Sequence, residues 1–134
     1  MTIDVQTLIP DVRDGLSDVP FDHLDDKLIF KDLQDAYDFV TYVAADGTEE
    51  RMIRRCIIRY GMFISYRNYT SLAERRLGSI PSSSAIQLQT LLMQTYNCLS
   101  LISKYTLNPD LSLNTDDVQT AVAGSISSSL LDAT

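Results

Sequence analysis

Apolar residues recur along this chain at helical spacing in three long segments. In the first, Leu24, Leu28, Leu33, Tyr37, Val40 and Ala44 fall at steps of three to five residues, and Ile29, Ala36 and Val43 widen the stripe. That period belongs to an amphipathic helix, predicted here over about residues 22–45. Asp22 is placed to cap its N-terminus, and Asp25 and Asp26 suit the positive end of the helix dipole. Asp32, Asp35 and Asp38 are assigned to its outer face.

Asp46-Gly47 breaks the pattern, and Thr48 followed by Glu49 and Glu50 reads as a second N-cap with acidic residues in the first turn. The helix that follows runs to about Leu77, with apolar positions Ile53, Cys56, Ile57, Tyr60, Ile64 and Tyr66. Gly61 lies inside it at a cost of about 1 kcal/mol relative to alanine. Either close packing against another backbone or a kink would account for that glycine. Gly78 is placed to end the helix in a left-handed cap, and Pro81 with Ser82 to Ser84 starts the third long helix. There the stripe is Leu88, Leu91, Leu92, Thr95, Tyr96, Leu99 and Ile102, ending near Leu107 ahead of Asn108-Pro109. A short helix is predicted around Ile9 to Leu16, with Pro10 in its first turn. Short connections make consecutive helices antiparallel neighbours. The expected fold class is therefore all-α: residues 1–107 form an antiparallel bundle of three long helices plus a short N-terminal helix.

Beyond Pro109 the chain is rich in Ser, Thr, Ala and Gly and carries no aromatic or basic residue. Such a composition buries little by itself. Residues 108–134 read as an extended C-terminal arm ordered mainly on a partner, with Val122, Ile126, Leu130 and Leu131 as its contact positions; a disordered tail is the other reading.

Composition sets the outer limits. A chain of 134 residues fits one domain with a real core, and 45% apolar with 22% charged residues is the balance of a globular protein. The most apolar windows are interrupted by Arg59, Arg67, Asn97 or Lys104, so no run reaches the roughly 18 to 20 residues a membrane span needs. The N-terminal stretch has no apolar segment of signal-peptide length, and a cytosolic chain is expected. Cys56 and Cys98 fall at core-like helical positions and read as reduced buried thiols, without a disulfide framework.

Charge changes the picture more. Residues 1–46 carry eleven Asp against Arg13, Lys27 and Lys31, a net of −8. Residues 47–80 carry seven Arg against Glu49, Glu50 and Glu74, a net of +4, and the remainder carries −3. The stretch RMIRRCIIRYGMFISYRNYTSLAERR, Arg51 to Arg76, thus holds seven of the eleven basic residues of an acidic protein. Arg51, Arg55 and Arg59 stand at i, i+4, i+8, where like charges repel unless something acidic lies opposite. The complement is either a neighbouring helix of the same chain or another molecule.

Few groups suit catalysis. His23 stands alone at the start of an acidic helix without a serine or cysteine partner. The cysteines lie too far apart in sequence for a ligand motif, the carboxylates read as a solvated face, and five scattered glycines form no phosphate loop. No catalytic residue, cofactor or metal is expected, which leaves a small helical enzyme as the least favoured class. Tyr60, Phe63, Tyr66 and Tyr69, interleaved with Arg59 and Arg67, offer an alternative: a small nucleic-acid-binding regulatory protein that stacks bases and holds phosphates.

The order IPDVRDGLSD, LDDKLIFKDLQDAYDFVTYV, SYRNYTSLAERRLGSIP and LQTLLMQTYNCLSLIS resembles that of the head-to-tail adaptor (connector, or head completion) proteins of tailed viruses of bacteria and archaea. The shared features are an acidic LDDxLI helix start, an aromatic and Arg-bearing helix end before a Gly-x-x-Pro break, and a Leu-rich last helix. They cover about residues 9–104. The resemblance implies a structural subunit of the virion neck, assembled in host cytoplasm as a ring, usually of twelve copies, beneath the portal protein. Its partners would be the portal, neighbouring copies of itself and a stopper or tail-completion protein, with DNA passing through the channel without specific binding and no membrane involved. Interface residues expected on this reading are Arg51, Arg54, Arg55, Arg59, Arg67, Arg75 and Arg76 with the apolar positions of the arm.

Overall fold

The computed structural model describes residues 2–19, 24–78 and 82–114. A 3-10 turn at Val5–Leu8 leads into α1, Ile9–Gly15, and three long helices follow: α2, Asp26–Val43; α3, Glu50–Leu77; and α4, Ser82–Ile102. The protein is an all-α bundle, with α3 at its centre. Every residue from Gly61 to Tyr66 is buried, a run that a helix resting on a single neighbour does not produce. Here α1 and α2 cover one side of α3, and α4 covers the other.

Local chemistry sets the helix ends. Asp4 caps the 3-10 turn by accepting from the Gln6 amide, and Pro10 occupies the first turn of α1, where a missing N–H costs nothing. The cap of α2 is Asp25, whose carboxylate accepts from the Leu28 amide, in place of the expected Asp22, which lies outside the described residues. Glu49 rather than Thr48 takes the cap position of α3; the Thr48 hydroxyl instead donates to the Ala45 carbonyl and tightens the preceding turn. Gly78 ends α3 at φ 82°, the left-handed geometry that favours glycine.

Consecutive long helices run antiparallel. Phe39 meets Tyr60 edge to face at 5.1 Å while Asp32 meets Ser65, which fixes the register of α2 on α3. Across the other interface the Thr95 hydroxyl donates to the Arg59 carbonyl at 3.1 Å. Gly61 is a site of close packing, against a side chain rather than the expected backbone: α3 continues unbroken through it, and a Cβ there would lie 2.7 Å from Cδ2 of the buried Leu33.

Two expectations for α2 are corrected. Leu28, placed in the apolar stripe, is 44% exposed, and Asp32, placed on the outer face, is only 5% exposed. Asp32 lies three residues after Ile29 and four before Ala36, both buried, so the helical period points it inward. Donors on α3 satisfy its carboxylate and make that position tenable. Asp35 and Asp38 do lie on the exposed side.

Helix α4 stops at Ile102, five residues short of the predicted Leu107. The chain then folds back: the Ala45 amide donates to the Ile102 carbonyl at 2.8 Å and the Lys104 amide to the Val43 carbonyl at 2.7 Å, which ties the ends of α2 and α4 together. Leu107 pairs with Leu113 across a tight turn, and Leu107 and Leu111 are buried. Residues 108–114, assigned to the arm from composition, are thus packed on the bundle. The remaining arm positions, Val122, Ile126, Leu130 and Leu131, lie outside the described residues.

Candidate functional site

Helical spacing projects Arg51, Arg54, Arg55 and Arg59 from one side of α3, beside the α1 segment that begins at Ile9. Together with Asp11 and Gly15 of α1 and the half-buried Ile58 they line an open cavity of about 400 Å³. Its floor is apolar and its walls carry four guanidinium groups against one carboxylate.

Internal neutralisation of this row is slight. Arg54 reaches Glu50 at 3.3 Å and Arg51 reaches Glu49 at 3.6 Å, both exposed local pairs at the start of the same helix. Arg59 donates to the neutral Gln94 amide oxygen on α4 at 3.0 Å. Among the described residues, no carboxylate of another helix comes within ion-pair distance of Arg51, Arg54, Arg55 or Arg59. Asp35 and Asp38, on the exposed face of α2, make no ion pair with them. Of the neighbouring helices, α1 brings a single carboxylate, Asp11, to the groove, short of the four guanidinium groups.

The other predicted basic residues are placed apart from this row. Arg67 stacks its guanidinium over the Phe63 ring at 5.2 Å. Arg75 stands at a second cavity of about 390 Å³, between α2 and α3, and Arg76 is exposed near the end of α3. His23 lies outside the described residues.

The aromatic rings of the same stretch point inward. Phe63 and Tyr66 are buried, and Tyr60 and Tyr69 are half-buried against the core. Phe63 and Tyr66 are thus committed to packing, while Tyr69 shows part of its ring at the second cavity.

The second cavity contains the feature that sequence reasoning missed. Asp32 forms part of its wall, accepting from the Ser65 hydroxyl at 2.9 Å and the Asn68 amide at 3.1 Å. Burial pushes the Asp32 carboxyl above its ordinary range, the two hydrogen bonds oppose that shift, and the nearby Asp35 charge adds to it. Ser65 is fully buried, and its hydroxyl braces α2 against α3 by donating to Asp32. Its one signal in the sequence was the position of Asp32 within the Ile29–Ala36–Val40 stripe.

Among the described residues no three metal-binding side chains converge, and no helix is long and apolar enough to cross a membrane. Comparison with protein-family models, curated proteins and solved structures found no match.

Proposed function

We propose that this chain is a structural adaptor of a virus neck, a ring subunit that docks beneath a portal protein and joins it to a stopper or tail protein. The carrying observation is the arginine row of α3: it lines one groove, and no other helix supplies a carboxylate partner among the described residues. A charged row left open in this way suits an acidic surface on another molecule. In a ring, each subunit meets identical neighbours through two different surfaces, so a basic groove on one copy and the exposed Asp35 and Asp38 face of the next are complementary. Such complementarity fixes register and speeds docking. Helix α4 adds an outward apolar surface, with Ile86, Met93 and Leu101 between 55% and 75% exposed, as a further contact for a neck partner.

In this reading the ring has the twelve copies usual for such adaptors, DNA passes through the channel without a specific site, and the protein performs no catalysis. The deciding experiment is affinity capture of the tagged full chain from virus-infected cells, followed by mass spectrometry. Recovery of a large portal-type ring protein or tail proteins is expected. Recovery of nucleic acid alone, released steeply by salt, would replace this reading with a phosphate-binding surface along α3.

A further inference from the structure

Cys56 of α3 and Cys98 of α4, 42 residues apart, face each other across the helix interface with their sulfur atoms 2.7 Å apart. Both are free thiols. Their meeting does not depend on the thiols themselves. One turn away, Thr95 donates to the Arg59 carbonyl and Arg59 to Gln94, so α3 and α4 are held in the register that brings the sulfurs together. The two sites differ in access: Cys56 is fully enclosed, whereas Cys98 is 8% exposed. The contact with Cys56 and the Arg55 and Arg59 charges favour the Cys98 thiolate against the opposing effect of burial, while the contact with Cys98 and burial hold Cys56 protonated. A thiolate beside cations, with a second thiol in contact, is the arrangement of a sulfur that oxidises and is resolved within the same molecule.

We propose that Cys56 and Cys98 form a site of reversible two-electron oxidation, at which a hydroperoxide converts the two thiols into a disulfide that ties α3 to α4. In the first step the Cys98 thiolate attacks a peroxide oxygen; an S–O bond forms, the O–O bond breaks, and hydroxide leaves as Cys98 becomes a sulfenic acid. In the second, the Cys56 sulfur displaces the sulfenic oxygen, forming the S–S bond and releasing water. Two thiols and one hydrogen peroxide thus give one disulfide and two waters. The crosslink closes the chain segment that includes the Gly78 turn and most of α4, and it lies next to the turn of α3 that carries Arg55 and Arg59. Closing a loop of this length removes freedom from the unfolded chain, so oxidation stabilises the bundle.

The test treats the reduced, purified full chain with hydrogen peroxide and reads the intact mass, with peptide mapping. The expected product has lost two hydrogen atoms, maps as a Cys56–Cys98 link within one chain, melts on the order of 10 °C higher and returns to the starting mass with dithiothreitol. In Cys56→Ser, Cys98 is expected to gain oxygen, because its resolving thiol is gone. Gain of oxygen at Cys56 or Cys98 of the wild-type chain in the peptide map, a link between two chains, or no change at either cysteine under conditions that oxidise the same chain in urea would each overturn the proposal. The wild-type peptide map decides the matter even if the variant fails to fold.

Discussion

Ser65 on α3 donates a 2.9 Å hydrogen bond to Oδ2 of Asp32 on α2, and both side chains are buried. The pair joins two helices through the one buried acidic residue among those described. Asp32→Ala leaves the Ser65 hydroxyl buried without this acceptor, and is expected to lower stability by about 2 kcal/mol in urea unfolding. The Asp32→Ala/Ser65→Ala double variant should lose less than the sum of the two singles. Strict additivity would show that the contact contributes nothing.

The pH dependence of Asp32 has a definite sign. Its carboxyl is raised in the folded protein, chiefly by burial, so the folded state holds this proton more tightly than the unfolded chain. The resulting stabilisation is complete below the unfolded value, near 3.8, and is lost as pH rises through the higher folded value. The stability of wild type relative to Asp32→Asn should therefore fall as pH is raised from that point toward neutrality. A difference that is flat or rises with pH in chemical denaturation would contradict the assignment.

Gly61→Ala sets helix propensity against packing. Alanine favours an interior helix position by about 1 kcal/mol, yet its methyl would meet the buried Leu33 side chain at 2.7 Å. Overpacking at a site walled by α2 costs about 1–3 kcal/mol, so the net effect expected is destabilising. A rise in the thermal midpoint would mean that Leu33 yields without cost.

Leu111 is buried at φ 72°, a left-handed conformation that a leucine adopts only under compensation. Replacement by alanine removes the buried side chain and keeps the strained backbone, whereas glycine removes both. Leu111→Gly is accordingly expected to be more stable than Leu111→Ala by about 0.5–1 kcal/mol, the reverse of the usual order, with both below wild type. Calorimetry of the two variants gives the comparison directly.

Charge reversal of Arg55 and Arg59 together tests the proposed interface. Neither residue makes an ion pair with another helix among the described residues, so the helical circular dichroism signal should persist and stability should stay within about 1 kcal/mol of wild type. Capture of the portal-type partner should be lost. Undiminished capture by a folded Arg55→Glu/Arg59→Glu chain would remove the arginine row from the interface.

What the sequence determined by itself was local. The three long helices, the short α1 with Pro10 in its first turn and the Gly78 cap follow from periods and end signals that operate within a few residues. The arginine row was legible for the same reason, because i, i+4 spacing fixes a face without reference to the rest of the fold. Other features required a second helix. The inward turn of Asp32 depends on donors 33 and 36 residues further along the chain, without which burial of a carboxylate would be prohibitive. Cys56 and Cys98 carried no sign of each other until α3 and α4 were laid side by side. The return of residues 103–114 onto the bundle rests on hydrogen bonds to the end of α2, which a reading of composition could not locate. Tertiary structure also decided that the arginine row faces a groove rather than the acids of α2, because the rotation of a helix about its own axis is set by what packs against it.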